Sequence, residues 1–149
     1  MRIREANAAD LNSKSLEDIQ ELMNTGLAAE GADQRFDPER FYDFWAIILS
    51  SRKGAMFFLE DDNSCIVGLI SGLVNEDPTT GQRLAAHVNW RVSPVRKGGG
   101  LALLSALEGW ARSVGAEALT VHVPSLKLAA RLDSKYRMQG MVFMKSLKE

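Results

Sequence analysis

The sequence predicts an α/β (α+β) protein with a mixed, mostly antiparallel sheet and the element order β-α-α-β-β-β-α-β-α-β. Two observations lead to this fold class. Three apolar segments between residues 55 and 92 are joined by short polar loops, which is typical of an antiparallel meander. The last third of the chain alternates strand and helix patterns, which implies one parallel crossover. Because 149 residues is the length of one domain, we expect residues 1–149 to form a single domain.

The first third of the chain predicts one short strand, around Ile3, and two helices. Residues 27–36 are small and polar and predict a loop between the helices. The second helix begins after Asp37, because a carboxylate cap followed by proline favours a helix start, and it ends before Gly54. The first helix is predicted to end at Gly26 and is indicated by apolar residues at helical spacing, namely Leu16, Ile19, Leu22 and Met23.

The remaining elements follow from changes of period along the chain. In order, they are strands over 55–60, 65–74 and 83–92, a helix over 101–114, a strand over 118–123, a helix from Pro124 to about Tyr136 and a final strand over 141–147. Side chains alternate between the two faces of a strand. In the strand 83–92 this alternation places His87 and Asn89 on one face, opposite Val88, Trp90 and Val92.

Composition excludes several classes of protein. The net charge is −1, which argues against a protein that mainly coats nucleic acid or an anionic membrane. With 46% hydrophobic and 25% charged residues, the chain is not of the disordered class. Its one cysteine, Cys65, makes no intrachain disulfide, and its two histidines complete no zinc site. The longest apolar stretch, residues 65–74, is too short to span a bilayer. We expect a cytoplasmic protein with no membrane partner and no metal.

A glycine-rich loop over residues 95–100 lies between the strand 83–92 and the helix 101–114. Its three glycines allow successive backbone N–H groups to point into one concavity, and the helix N-terminus adds partial positive charge. Arg96 and Lys97 add full charges. The segment therefore predicts a site for a phosphate or diphosphate group. The alternative is a flexible glycine turn with two solvated cations. The spacing fits neither a P-loop nor a dinucleotide fingerprint.

Residues 90–111 read WRVSPVRKGGGLALLSALEGWA and resemble the strand, diphosphate loop and helix of the GNAT acyltransferases. The shared features are a strand ending in valine, a proline, basic residues, a Gly-x-Gly and Ala-Leu-Leu. The family pattern is Arg/Gln-x-x-Gly-x-Gly/Ala. Counted from Arg96, Gly99 fits the first glycine, but Leu101 takes the last position. Aligned on Ala-Leu-Leu, Gly98 and Gly100 fit instead, but Val95 takes the place of the Arg/Gln, so the loop is altered in either alignment. With the element order included, the resemblance covers nearly the whole chain.

The resemblance implies an enzyme that transfers an acetyl group from acetyl-CoA to a small-molecule or peptide amine by direct attack in a ternary complex. It implies that a backbone N–H near Val92 stabilises the oxyanion, and that the pantetheine chain pairs with the strand around residues 91–93. The implied coenzyme contacts are Arg91, Val92, Ser93, Arg96, Lys97, Gly98, Gly99, Gly100, Leu101 and Ala102.

Three residues are candidates for the acid and the base. The family often has a tyrosine on its fourth helix as general acid, at the position that Asp133 takes here, and Tyr136 lies three residues further on. A carboxylate is a poor acid at neutral pH unless its pKa is raised. His87 lies on a strand where the family often carries its base, and His122 is a weaker candidate. Two alternatives stay open: Tyr136 as a packed structural residue and His87 as a hydrogen-bonded or exposed histidine.

Features outside this block indicate partners. The loop 27–36 carries Glu30 and Asp33, which suit a cationic acceptor, so it is the predicted acceptor rim. Exposed strand edges predict a homodimer. A basic stripe at helical spacing indicates either a solvated face or a contact with the ribose phosphate of CoA or an acidic partner, and it consists of Lys127, Arg131 and Lys135.

Two other functions are compatible with the sequence. One is a catalytically silent member of the same fold that binds CoA or a protein partner, which the altered glycine loop and the displaced tyrosine favour. The other is a small nucleic-acid-associated protein that uses Arg91, Arg96, Lys97 and the basic stripe at helical spacing. The net charge of −1 argues against nucleic acid as the partner.

Overall fold

The computed structural model of the chain describes residues 1–29, 35–94, 98–123 and 126–148. In these residues five strands form one sheet in the order β1-β2-β3-β4-β5. Strands β1 to β4 pair antiparallel, and β5 pairs parallel to β4, which confirms the predicted mixed sheet and its single parallel crossover. The strands are β1 Arg2–Glu5, β2 Gly54–Glu60, β3 Ile66–Glu76, β4 Arg83–Val92 and β5 Ala118–Thr120.

Helices cover both faces of the sheet. Helices α1 Ser13–Ala29 and α2 Pro38–Ser51 pack on one face, and α3 Gly100–Ser113 packs on the other. A fourth helix, α4 Leu126–Ala129, is a single turn. The core under α1 and α2 includes Ile19, Trp45, Met56, Phe58 and Leu69. The core under α3 includes Phe57, Leu59, Ile70, Leu103 and Leu107.

The start of α2, and strand β4 with helix α3, agree with the sequence patterns. Asp37 caps α2, and its Oδ1 accepts the backbone N–H groups of Glu39 and Arg40, both at 3.1 Å. Strand β4 has the predicted bounds, and α3 begins and ends one residue before the predicted positions. Capping and amphipathic period are local signals, and here the tertiary structure does not override them. Strand β4 and helix α3 frame the candidate site.

The C-terminal part of the chain differs from the prediction. Strand β5 ends at Thr120, and the helix predicted from Pro124 to about Tyr136 is reduced to α4, with residues 124–125 outside the described ranges. The final strand predicted over 141–147 is wrong, because residues 137–148 form no helix or strand. The large apolar side chains of this segment are 73–87% exposed. No neighbouring described strand supplies the backbone partners that a strand requires.

Helix α1 continues past Gly26, where the sequence predicted its end. A Cβ at this position would lie 2.7 Å from Nε and 2.8 Å from Cδ of Arg91 on β4. The absence of a side chain at Gly26 therefore lets the Arg91 side chain lie against the helix. Glycine serves a close approach between α1 and β4 at this point, and not a helix stop.

Strand β4 carries a β-bulge at Val88. Ser71 of β3 pairs with Asn89, and the next residue, Gly72, pairs with His87, so Val88 is left without a partner on β3. A bulge of this kind inserts one extra residue into one strand and bends that strand. The bend falls in the half of β4 that approaches α3.

The bulge changes which side chains of β4 share a face. His87 lies on the α3 face with Trp90, and their ring centroids are 6.4 Å apart. Asn89 lies on the opposite face, where its Oδ1 accepts the Ser71 hydroxyl at 3.2 Å. The prediction that His87 and Asn89 share a face is therefore wrong. It assumed an unbroken period of two residues, and an inserted residue shifts that period.

Candidate active site

Strands β4 and β5 diverge after three paired residues. Their parallel pairing ends at Ala86 and Thr120, while β4 continues to Val92. In the described part of the chain, the edge of β4 beyond Ala86 therefore has no strand beside it on the β5 side. We call this opening the β4–β5 wedge, bounded by residues 87–92 of β4 and by residues 121–123 after β5.

The backbone of β4 alternates between bonding to β3 and facing the wedge. The Ser93 N–H donates to the Val67 carbonyl of β3 at 2.8 Å. Successive N–H groups along a strand point in opposite directions, so Val92 directs its N–H toward the wedge, and Trp90 does the same. A donor near Val92 thus has the direction that the sequence resemblance requires. The Ser93 N–H, in contrast, is already bonded to β3.

Two glycines shape the entry to α3. Gly98 and Gly99 have φ angles of +88° and +117°, a left-handed conformation that other residues rarely adopt. A Cβ on Gly99 would also collide with the Leu59 side chain, whereas a Cβ on Gly98 would meet nothing within 4 Å. The predicted glycine turn is therefore present at these positions. Arg96 and Lys97 lie outside the described residues.

The first turn of α3 has backbone donors that no described residue accepts. The Leu103 N–H donates to the Gly99 carbonyl at 2.9 Å and is the first in the helix to bond to another described residue. Within the described ranges, the N–H groups of Gly100, Leu101 and Ala102 bond to no other residue. The N-cap residue is Gly99, which has no side chain to accept them. Three free donors and the positive end of the helix dipole form a site suited to a phosphate group.

Helix α3 begins directly beside the end of β4. The indole Nε1 of Trp90 donates to the Gly100 carbonyl at 3.2 Å. A Cβ on Gly100 would lie 3.6 Å from Cγ2 of Val92. These contacts hold the free end of α3 next to the wedge. A ligand with a phosphate group and an extended amide-containing arm can therefore contact both.

His87 lies at the narrow end of the wedge. Its Nδ1 accepts the backbone N–H of His122 at 2.9 Å, and the two ring centroids are 5.9 Å apart. Burial lowers the pKa of His87 below its ordinary value of 6.5, and the charges of His122 and Arg91 lower it further. A hydrogen bond with the backbone of Thr120 raises it in part. The ring is therefore neutral at pH 7, with its Nδ1 lone pair in use.

Tyr136 is bonded to α3. Its hydroxyl donates to Oε1 of Glu108 at 2.5 Å, and Glu108 also pairs with Arg112 at 3.6 Å. Burial and the Glu108 carboxylate raise the pKa of Tyr136 far above its ordinary value. Asp133 is exposed, and its Oδ1 accepts the Lys135 N–H at 2.8 Å in a turn. The Tyr136 proton is thus shared with a carboxylate about two turns along α3 from the start of that helix.

Other predicted contacts are not assembled at this site. Glu30 and Asp33 of the predicted acceptor rim fall in the undescribed segment 30–34. The basic stripe predicted along one helix is not formed, because α4 ends at Ala129. Its three members are all exposed, namely Lys127, Arg131 and Lys135.

Sequence reasoning missed three features of the site: the bulge at Val88, the Ser71 hydroxyl that accepts the Asn89 N–H, and Glu108 as the partner of Tyr136. A single hydroxyl inside the apolar run 65–74 was an available signal for Ser71, since a buried hydroxyl requires a partner. The bulge and the Glu108 contact carried no such signal, because both depend on pairing between distant segments.

None of the helices in the described ranges has the length and apolar character needed to cross a membrane. The same residues contain no group of three or more His, Cys, Asp or Glu side chains placed to hold a metal ion.

The open edge of β4 and the start of α3 lie side by side, in an arrangement suited to an extended ligand that carries a phosphate group. The model of the Acetyltransferase (GNAT) family matches residues 16–133. Because this match spans most of the chain, the protein belongs to the GNAT family, as the sequence resemblance predicted. No curated protein matches the chain.

Solved structures share the fold at low sequence identity. An aminoglycoside acetyltransferase from an uncultured soil metagenomic sample, in complex with sisomicin, is 20% identical with a TM-score of 0.71, covering 99% of this chain and 96% of that chain. A predicted acetyltransferase with acetyl-CoA from Clostridium acetobutylicum is 18% identical with a TM-score of 0.71, covering 99% and 95%. Ribosomal-protein-alanine N-acetyltransferase from Brucella melitensis biovar Abortus 2308 is 17% identical with a TM-score of 0.62, covering 96% and 100%.

Proposed function

We propose that residues 1–149 form one acyl-CoA N-acyltransferase domain, which moves an acetyl group from acetyl-CoA to a primary amine by direct attack in a ternary complex. One observation carries this proposal. The free N–H groups of Gly100, Leu101 and Ala102 lie beside the open edge of β4, where the Trp90 indole and the Val92 side chain contact the start of α3. Membership of the acetyltransferase (GNAT) family supports the same class of reaction.

The residues present fit a coenzyme A donor. Diphosphate oxygens would accept the N–H groups of the first turn of α3, and the missing side chains of Gly98 and Gly99 leave the approach clear. The amide-containing pantetheine arm would pair with the wedge-facing backbone of Trp90 and Val92, as an added strand does. Four further coenzyme contacts stay proposed on the family resemblance, namely Arg91, Ser93, Arg96 and Lys97.

The proposed reaction needs no covalent enzyme intermediate. An alkyl amine has a pKa of about 10.4 and must lose a proton before it attacks. Its nitrogen then bonds to the thioester carbonyl carbon, and the resulting oxyanion accepts the Val92 N–H. The C–S bond breaks, the attacking nitrogen gives up its second proton to leave the neutral amide, and the CoA thiolate takes up a proton. Most of the rate gain comes from alignment of the two substrates.

The acid and base assignments also stay proposals. Tyr136 has a proton to give, but its hydroxyl must first leave Glu108. Asp133 is exposed to solvent, and His87 lies at the wedge with Nδ1 already bonded. Tyr136 and His87 therefore each need a rearrangement before they can transfer a proton. For Tyr136 the arrangement favours the alternative of a packed structural residue.

The proposed acceptor is a small-molecule or peptide amine. Two structural neighbours are named for such acceptors: one is an aminoglycoside acetyltransferase and the other a ribosomal-protein-alanine N-acetyltransferase. We extend the proposal to a cytoplasmic location, on the grounds of the single cysteine, and to a homodimer, on the grounds of the exposed strand edges.

The second candidate is a catalytically silent family member that binds CoA or a protein partner. One observation favours it. The Tyr136 hydroxyl donates to Glu108, and Asp133 takes the position where the family often has its tyrosine. A protein without a free proton donor near the thioester would bind the coenzyme and turn it over slowly.

Thiol release separates these functions. The protein is incubated with acetyl-CoA and a panel of small-molecule and peptide amines, and free CoA thiol is measured alongside CoA affinity by calorimetry. Thiol release that depends on an amine supports the enzyme. Tight CoA binding without turnover on a broad panel supports the silent protein. Salt-dependent DNA or RNA retention, with no effect of CoA on the melting temperature, contradicts both and supports nucleic-acid binding.

A further inference from the structure

We propose that His87 is a positioning residue, whose imidazole bridges β4 and β5 where the two strands separate and so sets the width of the β4–β5 wedge. The inference rests on the proposed function, because the coenzyme arm is proposed to enter this wedge. It replaces the general-base role that the sequence resemblance predicted for the same side chain. The two roles give different experimental results.

The bridge begins where the backbone pairing ends. Ala86 and Thr120 are the last paired residues of β4 and β5, and His87 is the next residue of β4. Its Nδ1 accepts the His122 N–H at 2.9 Å. The side chain thus satisfies a backbone donor that a continuing ladder would have paired. An imidazole between two strands keeps them further apart than the distance of about 4.8 Å between paired strands.

His87 also links the wedge to α3. Its ring packs edge-on against Trp90, with centroids 6.4 Å apart and planes at 76°. Trp90 in turn donates to the Gly100 carbonyl at 3.2 Å. The bulge at Val88 makes this possible, because it places His87 and Trp90 on the same face of β4. A continuous set of contacts therefore runs from His122 to the first residue of α3.

The bridge requires a neutral ring. A neutral imidazole has one lone pair on its nitrogens; Nδ1 offers it to the His122 N–H, so Nε2 carries the proton. A general base needs a free lone pair within reach of the substrate proton, and this ring has none. Protonation of Nδ1 would place its N–H against the His122 N–H and break this hydrogen bond.

The surroundings of the ring favour its neutral form. The charged or titratable groups that act on His87 are His122, beyond β5, and Arg91, on β4. Both disfavour the imidazolium, as burial does, and the bond with the Thr120 backbone opposes them in part. The pKa of His87 therefore lies below its ordinary value, and the bridge persists through neutral pH.

Two variants at one position separate positioning from base catalysis. In His87→Asn an amide oxygen replaces Nδ1 as acceptor for the His122 N–H, but asparagine accepts no proton. In His87→Ala both functions are lost. The CoA dissociation constant is measured by calorimetry, and kcat and KM for acetyl-CoA are measured with an amine that supports turnover.

The bridge predicts that His87→Ala weakens CoA binding about tenfold and raises KM by a similar factor, the loss expected for one buried hydrogen bond. It predicts that His87→Asn keeps both CoA affinity and kcat within about threefold of the parent protein. A general base predicts the opposite pattern: both variants lose kcat equally and bind CoA as the parent does. That pattern would overturn the inference.

Ser51→Ala is the control, because Ser51 is exposed at the end of α2, on the sheet face opposite α3, and the CoA affinity of this variant stays within about twofold of the parent. The pH profile gives a second readout. CoA affinity of the parent protein declines as the pH falls below the ordinary histidine range, and this decline is absent in His87→Asn. Equal pH dependence in the parent and in His87→Asn contradicts the bridge.

A measurement without coenzyme keeps this inference separate from the proposed function. Nitrogen-15 NMR of the free protein reports the tautomer of His87, and amide hydrogen exchange reports the His122 N–H. The bridge predicts the Nε2–H tautomer and slow exchange in the parent and in His87→Asn, with fast exchange in His87→Ala. If this pattern appears and CoA does not bind, the bridge stands and the proposed function fails. Equally fast exchange in all three proteins contradicts the bridge.

If His87→Ala does not fold, His87→Gln replaces it in both experiments. Glutamine is longer than asparagine and presents no acceptor at the position of Nδ1. The bridge then predicts weaker CoA binding and faster His122 exchange in His87→Gln than in His87→Asn. Equal values in the two amide variants would contradict it.

Discussion

The Ser71 hydroxyl of β3 accepts the backbone N–H of Asn89 on β4 at 3.2 Å, directly beside the extra residue of the bulge. Ser71 is fully buried, and its hydroxyl proton is donated to Oδ1 of the same asparagine at 3.2 Å. A β3 side chain thus satisfies a backbone donor of β4. This pair fixes the bulge that places Trp90 and His87 on the α3 face.

Ser71→Ala is expected to lower the free energy of unfolding by about 1–3 kcal/mol, because it removes the partner that the half-buried Asn89 N–H and Oδ1 have in the Ser71 hydroxyl. Urea denaturation measures the change. The matched control is Ser51→Ala: Ser51 is exposed, and its hydroxyl donates to the Ile48 carbonyl at 3.0 Å, so its loss costs less than about 0.5 kcal/mol. Equal losses for the two serines would show that the bulge does not depend on this hydroxyl.

Gly26→Ala and Gly109→Ala test the close approach of Arg91 to α1. Both glycines lie inside helices, where alanine is favoured by about 1 kcal/mol. A Cβ on Gly109 meets nothing within 4 Å, so Gly109→Ala is expected to raise the free energy of unfolding by about that amount. A Cβ on Gly26 lies 2.7 Å from Nε of Arg91, so Gly26→Ala gains less or loses stability. Equal gains in urea denaturation would contradict the contact.

Because the buried carboxylate of Glu60 pairs with two arginines, we expect the protein to lose stability in acid. Glu60 is 4% exposed, and its Oε1 accepts Nε of Arg4 at 2.9 Å and Nε of Arg2 at 3.2 Å. The hydrogen bond from Arg4 holds the pKa of Glu60 below its ordinary value of 4.5. A carboxylate with a lowered folded-state pKa contributes stability above its unfolded pKa, and that contribution is lost as the pH falls through the folded pKa.

Glu60→Gln is therefore expected to cost about 1–3 kcal/mol at pH 7 and to remove this part of the acid dependence. Urea denaturation at pH 7 and pH 3 measures both effects. Asp62→Asn is the control. The Asp62 side chain pairs with the N-terminus but is 98% exposed, so removing its charge has little effect on the free energy of unfolding. A Glu60→Gln protein that loses stability in acid as steeply as its parent would contradict the assignment.

Tyr136→Phe distinguishes a structural tyrosine from a general acid. The hydrogen bond to Glu108 predicts a loss of about 1–2 kcal/mol in the free energy of unfolding, with kcat within about threefold of the parent. A general acid would instead lose about 10²-fold or more in kcat. The pKa of Tyr136 is raised from 10.0, so the unfolded chain ionises first, and stability falls as the pH rises above that value. Tyr136→Phe removes this alkaline loss, and exposed Tyr42→Phe serves as the control.

The elements that frame the site were predictable because their signals are local. The glycines before α3, the amphipathic stripe of α3 and the bounds of β4 follow from residues next to one another in the chain. The same local patterns led to the family resemblance, which the family match over residues 16–133 confirms. The Asp37 cap at the start of α2 is a further case.

The rest depends on contacts between distant residues. The bulge at Val88 is set by pairing with β3 and by Ser71, so no alternation rule within β4 predicts it. From the sequence alone, Gly26 indicates the end of a helix. Its actual role depends on the Arg91 side chain, which lies against it from a distant strand. The segment 141–147 has the composition of a strand, but its side chains remain exposed and no described strand pairs with it. Strand propensity alone does not supply a partner.

The central claim is that the start of α3 binds the diphosphate of coenzyme A, and one pair of variants tests it most directly. Gly98 and Gly81 both have left-handed φ angles, of +88° and +72°, and a Cβ on either meets nothing within 4 Å. Aspartate tolerates this conformation better than most residues, so both aspartate variants are expected to fold. Only Gly98 lies at the proposed site.

Calorimetry with CoA then compares the parent, Gly98→Asp and Gly81→Asp. We predict that the carboxylate of Gly98→Asp repels the diphosphate and weakens CoA binding at least about tenfold, while Gly81→Asp binds as the parent does. Equal affinity in all three proteins, or no CoA binding by the parent, would contradict the claim.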